Sequence, residues 1–461
     1  MTMRLTDYVD APRELKKQYF DTLTMNIGLR YFGGKSVIGK YIINRIMEMQ
    51  AYRYIYPDYK PASTFVDCFT GGGKIGLTIP TGWFDKIVIN DLNFGVYSYY
   101  LCCQKAPLAL CRMIEEIGKI MSKEVFHGLA RERSTPPNPW NKDVRKNLVA
   151  YLDRKPLSKQ KEKKAKEIFP HVLTSAAITF WITQSSWLGE TDPNNCFYAL
   201  VGNTKSEKEE IEKRIRIAKK RIMDINKQMT RQEYIVENLD YVELIETYGV
   251  NEKGKQNEDV IWYLDPPYHA ATLNKSNGLG EDQDTGEISS KSKEERPAPY
   301  EDSFEYEQTM AMTYLLSGMK WFIKSDYDPY YYFDDPNKKY DKSLSDEDKK
   351  PRKGTVPSDY YHDFDIIENL DRGFVRELLG TFKKGTVSGH DVGMEVIWTR
   401  YDGTKDSIDY MFKGAKPTEY EEACAFWNEK KNAIYRRYLH NEKVDSERNQ
   451  LESTLNNSDG Q

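Results

Sequence analysis

An acid, two prolines and an aromatic, Asp265-Pro266-Pro267-Tyr268, close the apolar run Val260-Ile261-Trp262-Tyr263-Leu264. The run reads as a buried strand, and neither proline can continue a central one, so Asp265 and Tyr268 are delivered to its C-terminal edge. In an open α/β sheet, ligands bind at that edge. Taken alone, Asp-Pro-Pro serves a tight turn as well as a site. A second group capable of chemistry is Lys35 in Tyr31-Phe32-Gly33-Gly34-Lys35-Ser36. A phosphate loop would need a glycine at position 29, which is Leu29. The alternative is a glycine turn at a helix start, where backbone amides and Lys35 meet an anionic group such as a carboxylate.

A third constellation is more specific. The segment from Thr64 to Cys68 reads as a strand ending in Asp67, and Phe69-Thr70-Gly71-Gly72-Gly73-Lys74-Ile75-Gly76 follows directly. Gly71, Gly73 and Gly76 satisfy G-x-G-x-x-G, with a helical pattern expected after them. A second strand, Lys86 to Asn90, ends at Asp91, about twenty residues past Gly71, where an acid can accept both hydroxyls of a ribose. These features together point to a nucleoside. They do not choose between NAD and S-adenosylmethionine, since both present an adenosine ribose.

The elements that must position these groups are spread over 461 residues, enough for two or three domains or one domain with large insertions. Apolar residues make up 39% and mean hydropathy is -0.73, which indicates exposed inserts on a folded core. Formal net charge is -4, so a nucleic-acid partner needs a local basic patch. Arg154 to Lys166 supplies one, with seven basic residues against one acid, although such a run also reads as a solvated helix face. The stretch Phe180 to Gly189, containing Gln184-Ser185-Ser186-Trp187, mixes aromatics with groups able to bond base edges, and it reads equally as a core strand and turn. Lys205 to Met229 is the clearest helix, with Ser206 and Glu209 as a capping box and an apolar stripe from Ile211 to Met229. Next comes a strand from Tyr234 that ends near Asp240 and Tyr241. Past Tyr268, polar loops cover 274–299 and 334–354, with a helix opening at Ser303 between them, a strand at Trp321 to Ser325, a helix near Val375 and a strand around Met394 to Arg400. Six scattered cysteines without paired zinc spacing, no h-region at the N-terminus and no apolar run of spanning length point to a reduced, metal-free, cytoplasmic protein. Strand–helix alternation in two blocks around a basic, aromatic insert predicts a doubly wound α/β core with a mostly parallel sheet.

Tyr-Phe-Gly-Gly-Lys, Asp-Cys-Phe-Thr-Gly-Gly-Gly, Asn-Asp-Leu-Asn, Asn-Leu-Asp-Tyr and Asp-Pro-Pro-Tyr, in that order, resemble the α-group of N6-adenine DNA methyltransferases that includes the Dam enzymes. The similarity runs from about residue 28 to about residue 400, interrupted by inserts. It implies a Rossmann-like methyltransferase core in two parts, 25–124 and 231–412, an inserted, mostly helical target-recognition domain at 125–230, and a helical tail at 413–461. It implies S-adenosylmethionine as methyl donor, with S-adenosylhomocysteine as product. On this resemblance Tyr31, Gly33 and Lys35 bracket the methionine end of the donor, Lys35 meeting its carboxylate or the Asp265 side. Asp67, Phe69, Gly71, Gly72 and Gly73 lie under the same moiety, Asp91 takes the ribose hydroxyls, and Asp240 with Tyr241 holds the adenine. Asp265 and the Pro266 carbonyl orient the target amine and Tyr268 stacks on the flipped base. Lys159, Lys161, Lys163 and Lys164, with Gln184, Ser185, Ser186 and Trp187, would meet DNA.

The implied partner is double-stranded DNA in a bacterial or phage-infected cell, with no membrane involved and a restriction nuclease as a second partner to test for. The sequence departs from the family's pattern at Tyr31, Asp67 and Cys68. Two rivals carry less: an NAD-dependent oxidoreductase leaves Asp265 to Tyr268 unexplained, and a non-catalytic nucleic-acid-binding protein on the same fold has no use for an intact Lys35 and Asp265. RNA in place of DNA is a milder variant.

Overall fold

The computed structural model describes residues 3–31, 34–35, 38–55, 58–132, 135–186, 198, 206–251, 257–267, 312, 316, 319–328, 374–383 and 392–400. Two short helices, α1 (Leu5–Asp10) and α2 (Arg13–Thr22), precede α3 (Gly39–Ile55), whose Ile42, Ile43 and Ile46 are fully buried as their spacing predicts. Strands β1 (Thr64–Asp67) and β2 (Lys86–Asn90) follow, then six helices: α4 (Phe94–Lys105), α5 (Pro107–Lys119), α6 (Lys123–Glu132), α7 (Lys142–Leu152), α8 (Lys159–Ser185) and α9 (Glu207–Arg231). The chain re-enters the sheet through β3 (Glu233–Glu237), α10 (Tyr241–Gly249), β4 (Val260–Leu264), β5 (Phe322–Asp328), β6 (Phe374–Lys383) and β7 (Val392–Arg400).

The seven strands form one sheet in the order β3-β2-β1-β4-β5-β7-β6. The five from β3 to β5 pair in parallel, and β7 runs antiparallel to both β5 and β6. This is a mostly parallel mixed sheet. Chain order reverses direction between β1 and β4, and a parallel sheet opens a crevice at such a switch point, outside the carboxyl ends of the two strands.

Every residue of β1 and β4 is buried, because helices cover both faces. Side chains alternate, so β4 sends Ile261 and Tyr263 into the core shared with α3, α4, α8 and α9, and Val260, Trp262 and Leu264 into the core shared with α10. Each fully buried Ile or Leu contributes about 1.5–3 kcal/mol relative to exposure, so this strand is held firmly from both sides.

The helices start where side-chain oxygens can cap them. Asn93 Oδ1 accepts from Gly95 N and Val96 N at 3.0 and 3.1 Å, Asn141 from Val144 N at 3.0 Å, and Ser206 from Glu209 N at 3.3 Å. The structure corrects three expectations. No helix follows the glycine turn: residues 74–79 form successive turns, such as Leu77 N to Gly73 O at 3.2 Å, before β2 begins. Phe180 to Ser185 belong to α8, since apolar and hydroxyl residues in one run do not distinguish a buried helix from a strand. The region of Val375 is β6, whose β-branched and aromatic residues pair along β7.

Candidate active site at the carboxyl edge of β1 and β4

Parallel pairing places Asp67 opposite Tyr263, so Asp265 lies just past the paired edge beside the glycine turn. Lys35, four residues before α3, reaches the same place: its Nζ is 2.8 Å from Asp265 Oδ1, with the lysine side chain 6% and the aspartate 18% exposed. The Lys35 carbonyl accepts the first helical amide, Gly39 N, at 2.7 Å, which fixes the turn that carries the ammonium. Pro266 and Pro267 are half-buried. Tyr263 anchors the strand from below, its hydroxyl 2.9 Å from Ser325 Oγ on β5.

Asp67 ends β1 almost fully buried. Its Oδ2 accepts Gly76 N at 2.9 Å, while Oδ1 has no hydrogen-bond partner among the described residues. Burial pushes the carboxyl up to about 8, the Gly76 amide opposes this, and the charges of Asp265 and Asp91 add to the rise. Between β1 and β2 the backbone turns with Gly73 at φ 69° and Gly71 at φ 45°. A β-carbon on Gly73 would lie 2.5 Å from the Tyr100 hydroxyl, and one on Gly71 would lie 3.1 Å from the Tyr31 ring. The Tyr100 hydroxyl donates to Gly71 O at 3.1 Å. Tyr31 therefore lies against the glycine turn.

Asp91 follows β2. Its Oδ2 accepts Gly71 N at 2.7 Å and its Oδ1 accepts Asn93 N at 2.9 Å, so the carboxylate is fixed beside the turn. Asp240 caps α10 by accepting Val242 N at 2.8 Å, and Tyr241 is buried, its hydroxyl pushed up to about 12 first by burial and then by the Asp240 charge. The Phe69 and Tyr241 rings face each other with centroids 6.1 Å apart.

Gly33, Trp187 and Tyr268 lie outside the described residues, as do the 274–299 and 334–354 segments and the 413–461 tail. Lys159, Lys161, Lys163 and Lys164 are all exposed, in the first turns of α8, and Ala165 is the first buried residue of that helix. At the other end Gln184, Ser185 and Ser186 are buried, and Gln184 Nε2, Ser185 Oγ and Ser186 Oγ have no hydrogen-bond partner among the described residues. The Gln184 carbonyl accepts from Arg214 of α9. The two ends of α8 are on the order of 40 Å apart at 1.5 Å per residue, so they cannot serve one contact.

Some residues that hold the site carry little signal in sequence. Asn90 Nδ2 donates to Cys68 O at 2.9 Å and Leu239 O at 3.1 Å, and its Oδ1 accepts Leu239 N at 2.9 Å, tying the ends of β1, β2 and β3 together. Leu92, beside Asp91, is 53% exposed, an apolar surface at the sheet edge. Only the asparagines of Asn-Asp-Leu-Asn and Asn-Leu-Asp-Tyr hinted that polar residues at strand ends do this work.

Among the described residues no group of three or more His, Cys, Asp and Glu is arranged to hold a metal ion, and no helix is long and apolar enough to cross a membrane. The glycines at 71 to 73, the Asp91 carboxylate just past β2 and the buried Asp67 carboxyl, one oxygen of which has no partner among the described residues, could together hold a nucleoside bearing an amino-acid tail. No curated protein matches the chain. The family model for the D12 class of N6 adenine-specific DNA methyltransferases matches residues 31–313, from the glycine turn of Lys35 past the Asp-Pro-Pro-Tyr edge. The chain is an enzyme of that family, a D12-class N6 adenine-specific DNA methyltransferase.

Proposed function

We propose that the enzyme moves a methyl group from S-adenosylmethionine to the N6 amine of an adenine flipped out of duplex DNA, at the edge between β1 and β4. The observation that carries this reading is the Lys35–Asp265 pair at 2.8 Å, which holds a carboxylate next to the glycine turn.

When bound, S-adenosylmethionine supplies an electrophilic methyl on sulfur. Gly71 to Gly73 would leave room for its amino-acid portion, Tyr31 and Phe69 would border it, and the Asp67 oxygen without a partner among the described residues would meet its ammonium. Asp91 receives the ribose hydroxyls, and Tyr241 with Asp240 borders the adenine ring.

The exocyclic amine of adenine is a weak nucleophile, because its lone pair is delocalised into the ring. Asp265 and the Pro266 carbonyl would accept its two hydrogens and aim the lone pair, and the carboxylate would offset the charge on nitrogen; as the N–C bond forms and the donor's C–S bond breaks, S-adenosylhomocysteine would leave and the surplus proton on nitrogen would pass to solvent. Lys35 fixes the orientation of Asp265. Tyr268 stacks on the base, which must leave the duplex to expose its amine. The exposed Lys159, Lys161, Lys163 and Lys164 meet phosphates, and Gln184, Ser185, Ser186 and Trp187 belong to the segment that selects the site. The inserted helices act as the target-recognition domain, in a cytoplasmic setting, and a restriction nuclease is the partner to look for.

The test is transfer of labelled methyl from S-adenosylmethionine to duplex DNA, followed by mapping of methylated adenines in cells expressing the gene. Methyl groups found only in RNA, or none above background, would overturn the reading.

A further inference from the structure

Asp91 is held at its carboxylate by Gly71 and Asn93, and it is also held at its backbone. Asn238, just after β3, is 8% exposed, and its Nδ2 donates to two consecutive carbonyls, Asp91 O and Leu92 O, each at 2.8 Å. Two peptide planes between β2 and α4 are thereby fixed from a neighbouring strand.

The amide of Asn238 is itself set from outside the sheet. Its Oδ1 accepts Trp140 Nε1 at 2.7 Å, and an indole N–H is only a donor, so this bond dictates that the oxygen faces Trp140 and the amino group faces the two carbonyls. Trp140 comes from the segment before α7, within the helices between β2 and β3. It stands edge-on to Phe94 at 5.0 Å and to Tyr97 at 5.7 Å, both on α4, whose Asn93 cap also bonds Asp91. Removing the indole N–H would leave Asn238 Oδ1 without its donor, and the amide would then be held only by the two carbonyls it serves.

The geometry points to Asn238 and Trp140 as positioning residues for the methyl donor: they hold the Asp91–Leu92 backbone so that the Asp91 carboxylate meets the ribose. This rests on the reading of Asp91 as the ribose acceptor. The bonds of both residues run to the protein itself, Trp140 to Asn238 and Asn238 to the backbone. Their contribution is to the geometry of Asp91, so it is confined to the sugar.

Calorimetry on the full-length chain would compare S-adenosylhomocysteine with its 2′-deoxy analogue. The native protein should prefer the ribose form, and Asp91→Ala should abolish the preference. Trp140→Phe keeps the ring packing against Phe94 and Tyr97 and deletes only the donor. It should cut the preference about fivefold, the usual worth of one hydrogen bond, lower the melting temperature by only a few degrees and leave donor-free DNA affinity unchanged. Asn238→Asp keeps the acceptor for Trp140 and loses both donated bonds, so it should cut the preference further, and if it fails to fold, Trp140→Phe decides alone. Full preference in Trp140→Phe, with loss in Asp91→Ala, overturns the inference and leaves the ribose reading standing. Full preference in Asp91→Ala overturns both.

Discussion

Lys35 Nζ lies 2.8 Å from Asp265 Oδ1, joining a turn near the start of the chain to the end of the central strand β4. Both side chains are largely withdrawn from water, so each offsets a charge that solvent no longer screens. Coulomb attraction is strong in such a place, but so is the cost of leaving one charge unpaired.

Asp265→Ala should abolish methyl transfer and leave a folded protein, destabilised by roughly 3 kcal/mol because Lys35 keeps a buried charge. Adding Lys35→Met should recover much of that stability and none of the activity. Thermal melts and single-turnover assays on the single and double variants check both parts, and residual turnover in Asp265→Ala would sink the mechanism.

Asp67 predicts a pH dependence of stability. In the folded chain burial pushes its carboxyl up to about 8. An unfolded aspartate ionises near ~3.9, so between these values the folded chain holds a proton that the unfolded chain has lost. The contribution is complete below about pH 4 and is lost as pH climbs to about 8. Between pH 5 and 8 the melting temperature of the native protein should fall more than that of Asp67→Asn. Near pH 7, donor binding should also release a proton in the native protein, read by calorimetry in buffers of different ionisation enthalpy, and not in the variant.

Gly73→Ala should damage the turn in two ways. The residue sits at φ 69°, and the new methyl would lie 2.5 Å from the Tyr100 hydroxyl and 2.9 Å from Leu77. A left-handed non-glycine residue costs roughly 1–2 kcal/mol before any clash is counted. We expect a lower melting temperature and loss of donor binding. Gly82→Ala, with φ 84° and open space around it, should lower stability without affecting donor affinity.

Neutralising Lys159, Lys161, Lys163 and Lys164 to glutamine should weaken DNA binding and flatten its dependence on salt by up to about 0.9 for each phosphate that is no longer neutralised. All four are exposed, so folding should be unaffected. An unchanged salt slope would return this end of α8 to a solvated face.

The parallel core was legible because its strands are short, apolar and punctuated by acids. Lys86 to Asn90 and Val260 to Leu264 stand where their patterns placed them. Asp67, Gly71, Asp91 and Asp265, singled out in the sequence as acids and turn glycine, do gather at one edge of the sheet, and their roles toward a donor are proposals. Helix and strand were confused where burial removes periodicity, as in Phe180 to Ser185, and near Val375, where the strand pairs with the next one in the chain, β7. Asn90 and Asn238 were illegible in their roles: each bonds backbone carbonyls about 22 to 149 residues away, and a carbonyl has no sequence signature.

The Lys35–Asp265 pair also has a bearing on how the protein is made. The lysine leaves the ribosome about 230 residues before Asp265, and synthesis proceeds at roughly 5–20 residues per second, so for on the order of ten seconds or more the nascent chain carries the lysine turn before the Asp265 carboxylate exists. A product truncated before β4 carries the glycine turn, Asp67 and Asp91, yet lacks the Asp265 carboxylate that completes the pair. On the reading of Asp265 as the acceptor for the target amine, such chains keep the basic end of α8 and should bind DNA without methylating it.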